Sequence, residues 1–120
     1  MKLNWVTIRV GDLDKSLFFY TQLLKLEIAA RFPSGEREIV MLGNSDEAKI
    51  ELIYEAGKSA ETPGKGVTIG LEADDLDALV HLLKENGLAL TGPISPNPKL
   101  RFFFVKDPDG YSVQLAEHKE

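Results

Sequence analysis

Apolar and polar residues alternate in several short segments of this chain, and apolar residues follow helical spacing in two others. Lys2–Val10 alternates and is rich in β-branched residues, which predicts a strand. Lys15–Lys25 follows with one apolar stripe, which predicts an amphipathic helix for which Asp12 or Asp14 is a suitable N-cap. The stripe consists of Leu13, Leu17, Tyr20 and Leu24.

Three more strands complete the first half of the chain. The last two are predicted to form a hairpin about residues 44–47, and a stretch rich in Gly, Pro and Ser over residues 57–66 predicts a connector. The three predicted strands are Glu27–Phe32, Arg37–Gly43 and Ala48–Glu55.

After the connector the same order of elements starts again. A predicted strand, Val67–Ala73, leads into a helix that opens at residues 74–77 and ends at Asn86-Gly87, a common helix stop. Leu88–Leu90 predicts a short strand, and the proline-rich segment Pro93–Pro98 predicts a loop.

The last fifth of the chain predicts a second hairpin. Two runs rich in Phe, Val and Tyr, residues 100–106 and 111–116, flank the sequence Asp107-Pro108-Asp109-Gly110. Proline pre-sets φ for the second position of a turn, aspartate at the first position can bond the backbone ahead, and glycine suits the fourth. Each half of the chain is therefore predicted to have the order β-α-β-β-β.

One sequence offset relates the two halves. Asp12 and Asp75, at the two helix starts, are 63 residues apart (75 − 12), and the same offset sets Glu51 on Gln114. Shared spacing in separate elements indicates an internal repeat. The predicted fold is α+β, a single domain over residues 1–120 with module one at 1–56, the connector at 57–66 and module two at 67–120.

The amino-acid composition argues against several classes of function. The 120 residues carry a formal net charge of −5, which argues against a nucleic-acid surface, since phosphate binding needs a basic face. There is no cysteine, which excludes disulfides, thiolate metal sites and a cysteine nucleophile. No long apolar run or signal sequence is present, so we expect no membrane partner and a cytoplasmic location.

The segments IRVGDLDKSLFFYTQLL near the start and FFFVKDPDGYSVQLAE near the end resemble the vicinal oxygen chelate superfamily, which includes glyoxalase I, bleomycin-resistance proteins and extradiol dioxygenases. The resemblance spans nearly the whole chain. It implies two tandem β-α-β-β-β modules whose curled mixed sheets enclose a cavity, and it implies a homodimer.

In the metal-dependent members of that superfamily, His, Gln or Glu side chains on four strands hold a divalent cation. The resemblance places the four equivalent positions at Trp5, Glu51, Thr68 and Gln114. Glu51 is the expected carboxylate, whereas an indole has no lone pair to offer and Thr68 and Gln114 provide only neutral oxygens. We therefore expect no metal site and no cofactor.

Strand alternation extends these four positions to a predicted cavity lining. With a four-residue turn at 107–110, Gln114 is expected opposite Phe103, and the first hairpin should likewise set Glu51 opposite Val40. Phe102 and Phe104 are then expected to pack under the helices. The predicted ligand-binding residues are Trp5, Thr7, Arg9, Lys49, Glu51, Thr68, Arg101, Phe103 and Gln114.

Two functions are consistent with these residues. The first is a metal-free module that binds or sequesters a small molecule, as bleomycin-resistance proteins do. The second is a superfamily enzyme, such as a lactoylglutathione lyase-like isomerase or lyase or a dioxygenase, with a divalent metal in a divergent site or with Glu51 as the base. Glu51 is the only candidate base, and we expect Lys49 and Arg101 nearby to keep it ionised, which favours the binding module.

Overall fold

The computed structural model describes residues 1–58 and 62–120. The chain divides into two units, Met1–Thr62 and Pro63–Glu120, and each contains one four-stranded sheet. Residues 59–61 of the predicted connector lie outside the described residues. Within the described part of the chain, no helix is long and apolar enough to cross a membrane.

The first unit forms a mixed sheet with strand order β1-β4-β3-β2. Strands β1 and β4 are parallel, and the other neighbours are antiparallel. Its strands are β1 (Trp5–Val10), β2 (Ile28–Ser34), β3 (Arg37–Leu42) and β4 (Lys49–Glu55), and helix α1 (Leu13–Leu17) follows β1.

Helix α1 starts where the sequence indicated and then changes its winding. Asp12 is the N-cap, and its carboxylate accepts a hydrogen bond from the Lys15 N–H at 3.1 Å. From Phe18 to Leu23 the backbone is π-helical, so the prediction of one regular helix over Lys15–Lys25 is wrong. The Thr21 hydroxyl donates to the Leu17 carbonyl at 2.5 Å, which satisfies an acceptor that the α-helical N–H would otherwise take.

The second unit repeats the arrangement, with strand order β5-β8-β7-β6. Helix α2 is capped by Asp75, whose carboxylate accepts from the Ala78 N–H at 3.1 Å. The elements are β5 (Thr68–Glu72), α2 (Leu76–Glu85), β6 (Leu90–Asn97), β7 (Leu100–Lys106) and β8 (Ser112–His118). The predicted class, α+β with two tandem modules of order β-α-β-β-β, is confirmed.

Strand β6 corrects the sequence interpretation. The segment Pro93–Pro98 was expected to be a loop, but residues up to Asn97 belong to β6. Its pairing with β7 shifts register on either side of Ile94. Because β6 is an edge strand and its ladder is irregular, it tolerates prolines that lack an N–H.

Both units pair their first and last strands in the same register. Thr7 pairs with Glu51 in the first sheet, and Gly70 pairs with Gln114 in the second, each displaced by 63 residues (70 − 7 and 114 − 51). The two N-caps obey the same offset. The internal repeat is therefore present in the strand pairing as well as in the sequence.

One face of each sheet packs into the core. In the first unit Ile8, Val10 and Leu52 are buried, and in the second unit Val113 and Leu115 are buried. Side chains alternate along a strand, so the residues between these buried positions lie on the opposite face. We call these two surfaces the open face of the first sheet and the open face of the second sheet.

Candidate ligand-binding face

The open face of the first sheet carries five of the predicted site residues. Trp5, Thr7 and Arg9 on β1 are exposed and alternate with the buried Ile8 and Val10. On β4 the same face carries the half-buried site residues Lys49 and Glu51, and the parallel register sets the residues of the two strands side by side. The level pairs are Trp5 with Lys49, Thr7 with Glu51, and Arg9 with Ile53.

Glu51 is held at the centre of this face by Thr7. The Thr7 hydroxyl donates to Glu51 Oε1 at 2.6 Å. On the other side of β4, Met41 is the cross-strand partner of Glu51 and is half-buried. The carboxylate of Glu51 therefore lies between the polar Thr7, which orients it, and the apolar Met41.

Lys49 does not pair with Glu51. Its Nζ donates to the backbone carbonyl of Glu47 in the β3–β4 loop at 2.5 Å. A Cβ at Gly43 would lie 3.1 Å from the Lys49 Cδ, so the missing side chain at Gly43 leaves room for the lysine stem. Lys49, which was expected near Glu51, thus lies on the same face but directs its ammonium to the loop carbonyl.

The open face of the second sheet carries Thr68 and Gln114. Thr68 pairs with Ser112, and Gly70 pairs with Gln114, whose Oε1 lies 3.7 Å from the position a Cβ on Gly70 would take. Gln114 has no level threonine hydroxyl comparable to that of Thr7. The two sheets thus present different polar groups at equivalent positions.

The predicted hairpin pairings are wrong by one residue. Gln114 pairs with Phe104, not with Phe103, and Glu51 pairs with Met41, not with Val40. The turn between β7 and β8 takes up residues 107–111, because the Asp107 N–H donates to the Tyr111 carbonyl at 3.0 Å. A one-residue slip moves every side chain of the strand to the other face.

Two predicted site residues therefore lie on the core face of the second sheet. Phe103 is buried there and pairs with Leu115. Arg101 pairs with Glu117 on β8, and its guanidinium donates to Asp77 on α2 at 2.9 Å and to Glu117 at 3.1 Å. The Arg101 hydrogen bond and charge lower the pKa of Asp77, so this arginine ties β7 to β8 and α2 and is unavailable to Glu51.

The sequence interpretation missed two aromatic residues on the open face of the second sheet. Phe102 and Phe104, which were expected under the helices, share the face of Gln114 and meet edge to face at 5.5 Å between ring centroids. The chemistry of the cross-strand pairs could have identified them. The register that sets Val105 opposite Val113 and Arg101 opposite Glu117 forms an apolar pair and an ion pair, and it places Phe102 and Phe104 on the face of Gln114.

A second polar pair lies at the far end of that face. Glu72 accepts hydrogen bonds from the backbone N–H of His118 at 2.8 Å and lies 2.7 Å from His118 Nδ1. These hydrogen bonds lower the pKa of the Glu72 carboxyl. His118 is the last residue of β8, and these contacts join it to the end of β5.

The four positions that the resemblance equates with metal ligands offer a poor donor set. The first sheet provides an indole at Trp5 and one carboxylate at Glu51, and the second provides a hydroxyl at Thr68 and an amide at Gln114. Transition metals bind proteins through imidazole, thiolate and carboxylate groups in combination. Within residues 1–58 and 62–120, no group of three or more His, Cys, Asp or Glu side chains could hold a metal ion. The four equivalent residues therefore do not provide a suitable ligand set for a divalent transition metal.

The repeated β-α-β-β-β units, each with one polar open face, define a glyoxalase-like fold. The family model described as "Glyoxalase/Bleomycin resistance protein/Dioxygenase superfamily" matches residues 2–115. The chain belongs to this superfamily.

Relatives within the superfamily are enzymes by name. A protein of Vibrio parahaemolyticus named probable lactoylglutathione lyase is 34% identical over 122 residues, covering 94% of this chain and 88% of that protein. The lactoylglutathione lyase of Salmonella typhimurium is 31% identical over 129 residues, covering 100% and 95%.

Solved structures with the same fold include both enzymes and binding proteins. Glyoxalase I of Leishmania major superposes with a TM-score of 0.84 at 25% identity, covering 98% of this chain and 86% of that one. An antibiotic binding protein from Streptomyces sp. CB03234 gives a TM-score of 0.74 at 23% identity, covering 99% and 97%. At 23% identity, the second similarity establishes the fold alone.

Proposed function

We propose that this protein is a metal-free module that binds and sequesters a small molecule on the open face of the first sheet. The observation that carries the proposal is the exposed Trp5 beside the Thr7–Glu51 pair on that face. An aromatic surface with a few oriented polar groups is the usual composition of a small-ligand site. A metal-dependent member of the superfamily would need an imidazole or a second carboxylate where this chain has an indole, a hydroxyl and an amide.

The alternative is an enzyme of the superfamily, such as a lactoylglutathione lyase-like protein with a divergent site. The identities of 31–34% to proteins of that name favour it. Metal-free catalysis would require Glu51 as the general base, and a carboxylate base works best when apolar surroundings isolate it from water. Glu51 lies on an accessible face and accepts a hydrogen bond from Thr7, which favours the binding module.

Metal titration separates the two functions. We expect calorimetry with Ni²⁺, Zn²⁺, Co²⁺ and Mn²⁺ to show no stoichiometric site of micromolar affinity in the purified protein. The triple variant Trp5→His, Thr68→His, Gln114→Glu restores the residue types of metal-dependent members and should gain such a site. A stoichiometric micromolar site in the parent that is lost in Glu51→Ala would overturn the binding module and support the enzyme.

Ligand screening tests the binding directly. Trp5 is the only tryptophan of the chain, so its indole N–H gives a single resonance that reports on this face. We expect a panel of small aromatic and polar metabolites to include compounds that shift this resonance and raise the melting temperature together. Turnover of any panel compound by the metal-free protein would contradict the proposal.

We further propose that the protein forms a homodimer. The superfamily resemblance supports a dimer, and the edge strands β2 and β6 leave unpaired backbone groups that an assembly can cover. Sedimentation equilibrium giving a single 13.3 kDa species across micromolar concentrations would exclude it. The cytoplasmic location stays a prediction, and fractionation of cells expressing the protein tests it.

A further inference from the structure

We propose that the ligand of this face is a protonated amine attached to a flat aromatic ring, with the ammonium at Glu51 and the ring against Trp5. The inference rests on the proposed function and adds the chemical class of the ligand. It follows from a carboxylate without a cationic partner and from an exposed indole two strand positions away.

Glu51 has no ion pair among the described residues. Its one side-chain partner is the Thr7 hydroxyl, which engages Oε1 and leaves Oε2 open to a further donor. The ionic groups expected to compensate it are engaged elsewhere, because Arg101 binds Asp77 and Glu117 and the Lys49 ammonium binds the Glu47 carbonyl. Arg9 lies on the same face, level with Ile53, and has an interaction of its own.

A carboxylate in this situation gains most from a charged N–H donor. Hydrogen bonds with an ionised donor or acceptor are roughly twice as strong as neutral ones, and an ammonium also compensates the charge of the carboxylate. An anionic ligand at the same place would be repelled by Glu51, and a neutral ligand would leave the charge uncompensated. The free oxygen of Glu51 therefore selects for a cation that carries N–H groups.

Trp5 supplies the second half of the site. It is 51% exposed and stands level with Lys49, two residues before Glu51 on β4. Trp5 and Glu51 are diagonal neighbours on adjacent strands, a separation of about 7–8 Å, so a small arylmethylammonium can hydrogen-bond Glu51 through its ammonium while its ring lies against the indole. Indole is the aromatic side chain that attracts cations and polarised ring edges most strongly. Met41 and Ile53, half-buried on the same face, border Glu51 with apolar surface.

The test uses three probes with one ring system and different charges: 1-naphthylmethylamine as the cation, 1-naphthalenemethanol as the neutral compound and 1-naphthylacetate as the anion. Affinities are measured by calorimetry at pH 7.5 with the whole chain, and the Trp5 indole resonance confirms the location. We expect the cation to bind at least tenfold more tightly than the neutral probe and the anion to bind most weakly. Glu51→Gln should remove the preference for the cation over the neutral probe.

Glu55→Gln is the matched control. Glu55 lies on the same strand and face, but it is paired with Lys58 at 3.3 Å, and its substitution changes the net charge equally. Equal loss of cation affinity in both variants would show a long-range charge effect and overturn the proposal. Equal affinities for the three probes would overturn the amine class while leaving the proposed binding function intact. Absence of binding by all three also overturns it, and the metabolite panel then decides the proposed function separately.

Discussion

The Thr7 hydroxyl donates to Glu51 Oε1 over 2.6 Å, and this bond joins two parallel strands through their side chains. The equivalent pair of the second sheet is Gly70 and Gln114, which has no such bond because glycine carries no side chain. One sheet therefore presents an oriented carboxylate, and the other presents an amide beside an empty position.

Thr7→Val tests whether this bond orients Glu51. Valine keeps the β-branched shape and removes the hydroxyl, so we expect the free energy of unfolding to change by about 1 kcal/mol or less. The affinity for 1-naphthylmethylamine should fall several-fold, because the carboxylate is no longer fixed. Urea unfolding and calorimetry measure the two effects, and Thr68→Val on the other sheet is the control. Unchanged affinity in Thr7→Val would show that Thr7 does not position the carboxylate.

Glu117 should matter more for stability than Asp77, although both bind Arg101. Glu117 is mostly buried, and it accepts from Arg101 and from the Leu76 N–H at the start of α2 at 3.2 Å. Glu117→Ala removes the acceptor of the Leu76 N–H and of Arg101 Nη2, while Arg101 Nη1 keeps Asp77, and we expect a loss of about 1–3 kcal/mol. Asp77 is exposed, so water screens its pairing with Arg101 and Asp77→Ala should cost less than Glu117→Ala. Chemical denaturation that ranks the two variants in the reverse order would contradict this assignment.

The Glu72–His118 pair predicts a dependence of stability on acid. Hydrogen bonds from His118 lower the pKa of Glu72 in the folded protein. The carboxylate therefore stabilises the fold above the ordinary glutamate pKa of about 4.3, and this contribution is lost as the pH falls through the lower, folded value. Glu72→Gln should be less stable than the parent at pH 7, and the difference should shrink below about pH 4.

Thermal unfolding of both proteins between pH 3 and pH 7 measures this difference. Glu36→Gln, in the exposed β2–β3 turn, controls for the change in net charge. A gap between parent and Glu72→Gln that stays constant over the whole range would exclude the linkage.

Gly92 is the glycine at which a side chain should be least tolerated. Its φ is +139°, and an added Cβ would lie 2.9 Å from the Phe102 carbonyl oxygen and 2.9 Å from Phe103 Cδ2. We expect Gly92→Ala to lose about 3 kcal/mol or more, because backbone strain and a clash add. Gly35→Ala, at φ +63° with open space around it, should lose only about 1–2 kcal/mol. Equal losses in urea unfolding would show that the contact at Gly92 relaxes.

The sequence was sufficient for the order of elements because the helix starts are encoded locally. The structure selects Asp12 from the two predicted N-caps Asp12 and Asp14, and it places the second N-cap at Asp75, within the predicted helix start at 74–77. The offset of 63 residues between the two N-caps (75 − 12) also relates the strand pairing of the two units, since Thr7–Glu51 and Gly70–Gln114 are equivalent pairs.

The faces of β7 could not be read from the sequence, since Phe102, Phe103 and Phe104 are consecutive apolar residues without alternation. The choice between faces then depended on the length of the turn. The Asp107 carboxylate accepts from the N–H of Asp109 at 3.0 Å and of Tyr111 at 2.8 Å, so the turn extends one residue further than expected. These hydrogen bonds set the pairing register of β7 and β8, but they produce no periodic pattern of apolar residues in the sequence. The residues on β1 and β4 avoided this error because each was placed by alternation along its own strand, from Trp5 or Glu51, without use of a turn length.

Because the two sheets share one register, the positions of Gly70 and Gln114 in the second sheet could hold a hydroxyl–carboxylate pair equivalent to Thr7–Glu51. A Cβ on Gly70 would meet Gln114 Oε1 at 3.7 Å, an ordinary van der Waals separation, so the backbone there accepts a side chain without a clash at Cβ. Gly70→Thr with Gln114→Glu would therefore build a second hydroxyl–carboxylate pair from two substitutions. The duplicated architecture lets an engineer change the number of acidic centres in this protein without redesigning its backbone.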